Sequence, residues 1–118
     1  MKAEELIIGD LVLYFGKVFS ILKVDPETEL SIIEDAHHFE EANINDLNTI
    51  PLTPNILEKN GWKKDDRGYS FRDIIFLNKD DFGGWVVSIS DDYILTIASI
   101  HQLQHLLFGL GLNSQMEV

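Results

Sequence analysis

The chain has 118 residues, 45% hydrophobic and 25% charged, a balance that fits a globular domain and excludes disorder over most of the length. It has no cysteine, which removes disulfides, thiolate nucleophiles and thiolate metal sites together. Twenty acids against nine bases give a net charge of −11, so its surface repels phosphate backbones and direct nucleic-acid binding is disfavoured.

The opening Met1-Lys2-Ala3-Glu4-Glu5 is charged and lacks the apolar run of a secretory signal. No apolar stretch approaches the ~20 residues that span a bilayer, so a cytoplasmic protein with no membrane contact is expected. Gly9-Asp10 reads as a turn, followed by a strand over Leu11–Phe15 that is apolar on both faces. Gly16-Lys17 is a second turn and Val18–Val24 a second strand. Asp25–Glu29 is a charged loop around Pro26, and Leu30–Glu34 a third strand. Residues 35–43 are polar and read as irregular. Ile44–Leu47 suits one helical turn, with Asn45 as its cap, and Ile50-Pro51-Leu52 a short piece at a sheet edge.

Thr53-Pro54 opens a helix, since Thr caps well and Pro at the first helical position loses no needed N–H. Gly61 ends it in a left-handed conformation, with Trp62 folding back on Leu57. Strand signals follow at Trp62–Lys64, Tyr69–Phe71, Ile74–Leu77, Trp85–Ile89 and Tyr93–Ile97, with Trp62, Tyr69, Phe71, Phe76 and Trp85 as core aromatics. The breaks between them carry Asp65-Asp66, Asp80-Asp81 and Asp91-Asp92, and Asp there bonds local backbone. This predicts an antiparallel meander. Ser99 and Gln102 have capping-box spacing ahead of a stripe formed by Ile100, Leu103, Leu106, Leu107 and Leu110. The helix ends near Gly109 and Gly111, and residues 113–118 are expected to fray.

Catalytic chemistry finds little to build on. His101 and His105 stand four apart on the last helix and could converge on one metal, but Gln102 occupies the position where a metalloprotease needs its glutamate base. His37-His38 are adjacent and diverge on any regular element. Ser88 and Ser90 lack a G-x-S-x-G elbow, and Gly83-Gly84 does not belong to a phosphate loop. No catalytic residue, cofactor or metal ligand is assigned, and a hydrolase using His101 or His37 ranks last among the functional readings.

Charge is the more informative signal. Residues 1–50 hold eleven acids against three bases, and Asp25–Asp46 holds eight acids with no Lys or Arg. Unpaired carboxylates cannot be buried together, so this stretch belongs at the surface. Glu34, Asp35, His37, His38, Glu40 and Glu41 are its candidate partner-contact residues.

The segments Leu6-Ile7-Ile8-Gly9-Asp10-Leu11-Val12, Ile50-Pro51-Leu52-Thr53, Asn60-Gly61-Trp62 and, above all, Ile100-His101-Gln102-Leu103-Gln104-His105-Leu106 give the chain a resemblance to a family of small uncharacterised bacterial proteins often associated with phage or mobile DNA. That resemblance implies a shared fold and supplies no activity. The expected architecture is α+β: an SH3-like β-barrel lobe over 1–52, then an antiparallel meander with two helices over 53–118, as two lobes of one compact unit. The expected function is non-catalytic binding of an unidentified protein partner. The alternative is an acidic decoy that occupies a basic protein's DNA site.

Overall fold

A computed structural model describes residues 1–118. The chain divides into two units, Met1–Ile50 with Ser99–Gln115, and Pro51–Ala98 with Met116–Val118. No helix is long and apolar enough to cross a membrane.

In the first unit, Ala3–Glu5 forms a 3-10 turn. Five antiparallel strands follow: β1 (Leu11–Tyr14), β2 (Lys17–Asp25), β3 (Leu30–Glu34), β4 (Phe39–Asn43) and β5 (Leu47–Asn48). They lie in the order β4-β3-β2-β1-β5 and curl into a half-barrel. The β1–β2 turn explains why β1 stops one residue before Phe15. Phe15 (φ 48°) and Gly16 (φ 78°) both take positive φ and Tyr14 pairs with Lys17, the two-residue hairpin whose twist matches the strands. Phe15 is therefore left at the turn, 77% exposed. Alternation along the strands sends Val12, Phe19, Ile21, Ile33 and Ala42 into one core, joined by Leu6, Ile44 and Leu47.

Two further differences from the sequence reading fall here. β4 occupies part of the polar segment 35–43, because pairing with β3, and not an apolar pattern of its own, makes it a strand. The 3-10 turn Ile44–Asp46 is capped by Asn43, whose side chain accepts from Asn45 N–H at 2.9 Å, so Asn45 is the donor and not the cap. The last helix, α2 (here the second of two, Ile100–Gly109), groups with these strands and not with residues 53–98. Ser99 and Gln102 form its capping box, with Ser99 N–H donating to Gln102 Oε1 at 3.1 Å. Its buried face differs from the leucine stripe: Ile100, Leu103 and Leu107 are buried, Leu110 is exposed, and the polar His101 and Gln104 are buried in its place.

The second unit opens with α1 (Pro54–Lys59), capped by Thr53, whose hydroxyl accepts from Ile56 N–H at 3.3 Å. Gly61 (φ 86°) reverses the chain and Trp62 N–H returns to Leu57 C=O at 3.0 Å. Then β6 (Lys63–Asp65), β7 (Gly68–Phe71), β8 (Ile75–Lys79), β9 (Trp85–Ile89) and β10 (Asp92–Ile97) pair in sequence order as an antiparallel meander. Trp62, Tyr69 and Trp85 are buried, while Phe71 and Phe76 are half-buried. Asp65 and Asp80 accept backbone N–H groups within their own turns, at 2.7–2.9 Å. The last hairpin turns on Ser90-Asp91, both at positive φ, because Asp92 already pairs with Ile89. The C-terminal tail is tied down where fraying was expected: Asn60 Nδ2 donates to Glu117 C=O at 2.7 Å and Glu117 N–H to Asn60 Oδ1 at 2.8 Å.

Candidate functional site

The six residues singled out by charge lie on one hairpin of the first unit. Glu34 ends β3, Asp35, His37 and His38 form the turn, and Glu40 and Glu41 stand on β4. Asp35 builds that turn: one carboxylate oxygen accepts His37 N–H at 2.8 Å and His38 N–H at 2.9 Å. These two backbone bonds hold the Asp35 carboxyl below the ordinary value. The His38 ring lies 3.3 Å from Asp35 and 3.7 Å from Glu40 and meets Phe19 edge-on at 5.8 Å between centroids, and both His37 and His38 are exposed. No group of three or more His, Asp or Glu side chains is arranged to hold a metal ion.

None of the eight acids of Asp25–Asp46 is buried. The hairpin also presents a residue that charge did not mark: Phe39, 71% exposed, between the turn and Glu40. On the outward face of the same strands, a shallow depression is lined by Lys23, Asp25, Leu30, Ile32 and Glu41. Lys23 is the one cation there, and its charge helps hold the Asp25 carboxyl low, behind the larger effect of a backbone bond from Glu27. Aromatic surface, acids and an open strand together can hold a segment of another protein.

A second polar cluster joins the first turn to α2. Asp10, 1% exposed, accepts Ile7 N–H at 2.8 Å on Oδ2, and His105 Nε2 reaches the same oxygen at 2.7 Å. Gln104 closes the other side: its carbonyl accepts Leu11 N–H at 2.9 Å, and its amide donates to Gly9 C=O at 3.0 Å and Ser114 C=O at 3.1 Å. The His101 ring lies 5.6 Å from that of His105, and His101 Nδ1 is 3.1 Å from Ser99 Oγ. Ser99 and His101 are each 4% exposed, so a Ser–His pair exists but shows no face to a substrate. Burial pushes the His101 imidazole below its ordinary pKa, with Asp10 opposing that shift. Gln104 and His105 thus fasten helix to turn, while His101 bonds Ser99 at the start of its own helix. Nothing local in the sequence pairs Asp10 with His105, since 95 positions separate them.

No protein-family model matches the chain, nor does any curated protein or solved structure.

Proposed function

We propose that this is a non-catalytic binding protein whose contact surface is the β3–β4 hairpin. The observation that carries the reading is an outermost strand with an exposed Phe39 followed by Glu40 and Glu41 and no Lys or Arg within the run 25–46. Exposed aromatic surface rimmed by charge is the signature of a protein-contact patch. The partner is a protein with a basic face, since a net charge of −11 repels nucleic acid and other acidic surfaces alike. The SH3-like description of the first sheet and kinship with the phage-associated family belong to this same proposal.

The test replaces Glu34, Asp35, Glu40 and Glu41 by Gln or Asn, verifies the fold by circular dichroism, and compares the proteins retained by tagged wild type and variant. Loss of a retained partner is expected. Full retention by a folded variant overturns the reading and leaves the stretch a solubility device. The decoy reading draws on the same surface acids. It is distinguished by competition: a decoy displaces DNA from a basic protein with steep salt dependence, and the four-fold variant does not.

A further inference from the structure

β4 is the outermost strand of its sheet, and its hydrogen bonds can be assigned residue by residue. At one end of the β3–β4 ladder Ile44 N–H donates to Glu29 C=O at 2.9 Å, and at the other Asp35 N–H donates to His38 C=O at 2.9 Å. Bonded and non-bonded pairs alternate in an antiparallel ladder. The register runs without a bulge from Leu30↔Asn43 to Glu34↔Phe39. Ser31↔Ala42 and Ile33↔Glu40 are therefore the bonded pairs. The main-chain N–H and C=O groups of Phe39, Glu41 and Asn43 point away from β3. Their side chains are exposed as well, on the face opposite Ala42.

Natural sheet edges are guarded by lysine, proline, a bulge or a cover. β4 has no lysine, no proline and no bulge. Its guard is negative charge alone, at Glu40 and Glu41. Such a guard is selective. It repels an acidic strand and admits a cationic one. A second copy of this chain would bring eight uncompensated acids against eight, so the guard opposes self-pairing.

We propose that β4 accepts, by strand addition, an extended segment of a basic protein partner in which a Lys or Arg faces Glu41 and an apolar or aromatic side chain two residues away faces Phe39. This rests on the binding reading above and supplies the partner's chemistry. Main-chain bonds to Phe39, Glu41 and Asn43 would give affinity, and the two side-chain positions would give selectivity. The basic side chain would stand beside Glu41 at the rim of the depression lined by Leu30, Ile32 and Asp25.

The experiment uses the full chain and two capped synthetic peptides, Thr-Lys-Thr-Phe-Thr-Lys-Thr and the same sequence with Glu for Lys. The readouts are amide chemical shifts and amide hydrogen exchange by NMR. The Lys peptide is expected to shift amides along β4 and to slow exchange at Phe39, Glu41 and Asn43, with binding that weakens as salt rises. Glu41→Lys should weaken it about tenfold and favour the Glu peptide. Glu41→Pro removes the outward N–H together with the carboxylate and should abolish it, whereas Glu41→Gln, which loses the carboxylate and keeps the N–H, should only weaken it. Phe39→Ala keeps the test open if the proline variant unfolds. Binding at the hairpin without slowed exchange at those three amides overturns strand addition and leaves the binding reading standing. Equal binding of both peptides overturns the basic partner. A wild-type dimer that Glu41→Pro dissolves shows the second copy to be the occupant and overturns the proposal. Absence of any peptide response at β4 overturns it too, while the four-fold acid variant above judges the binding reading separately.

Discussion

Two buried groups decide how the first unit responds to mutation and to pH. Asp10 directs one oxygen at both Ile7 N–H and His105, and its other oxygen, also buried, has no hydrogen-bond partner. Removing the imidazole leaves the carboxylate with a single backbone donor. His105→Ala is expected to cost about 1–3 kcal/mol, read as a lower urea midpoint at unchanged slope. His101 gives the pH dependence. Burial depresses its folded-state pKa below the 6.5 of the unfolded chain. Above that value both states are neutral and the stability is fully present. As pH falls through it, the unfolded chain takes up a proton that the folded one refuses, and stability drops. Urea midpoints at a series of values from pH 8 to pH 5 should therefore fall more steeply for wild type than for His101→Gln. Equal slopes would show that His101 is not the group responsible.

At the scale of elements, the signals that worked were local. Thr53-Pro54, Gly61 and the Ser99/Gln102 spacing each act within one turn of helix, and all three operate as read. Ser99→Ala is accordingly expected to lower stability by about 0.5–2 kcal/mol, and an unchanged denaturant midpoint would remove Ser99 as the cap. β4 was illegible because Phe-Glu-Glu-Ala-Asn carries no strand pattern; its neighbour β3 supplies the ladder. The Gly68 position shows the same dependence on a partner. Its φ of 134° and the Leu77 carbonyl against the site of a Cβ exclude any side chain, although Asp66-Arg67-Gly68 reads as an ordinary turn. Gly68→Ala should lower the thermal midpoint by several degrees, on the order expected for more than 1 kcal/mol in a chain of this size. Of the candidate site, the charges were readable and the exposed strand edge that carries two of them was not.

For the whole molecule the dominant quantity is self-repulsion. Eleven excess negative charges oppose compaction, and screening relieves the opposition as the Debye length shrinks from about 30 Å at 0.01 M salt to about 8 Å at 0.15 M. The thermal midpoint should rise over that range. The rise should be smaller after Glu34, Asp35, Glu40 and Glu41 are neutralised, and an equal rise would place the repulsion elsewhere. The division of the chain was also beyond a linear reading, because bonds from Gln104 and His105 to Gly9, Asp10 and Leu11 return the last helix to the first strands. That return has a consequence in time. A ribosome adding about 5–20 residues per second needs roughly 5–20 s to travel from Asp10 to His105. Throughout that interval the turn at Gly9–Leu11 has been made without its clasp, and the N-terminal strands must wait for α2 before their unit can close.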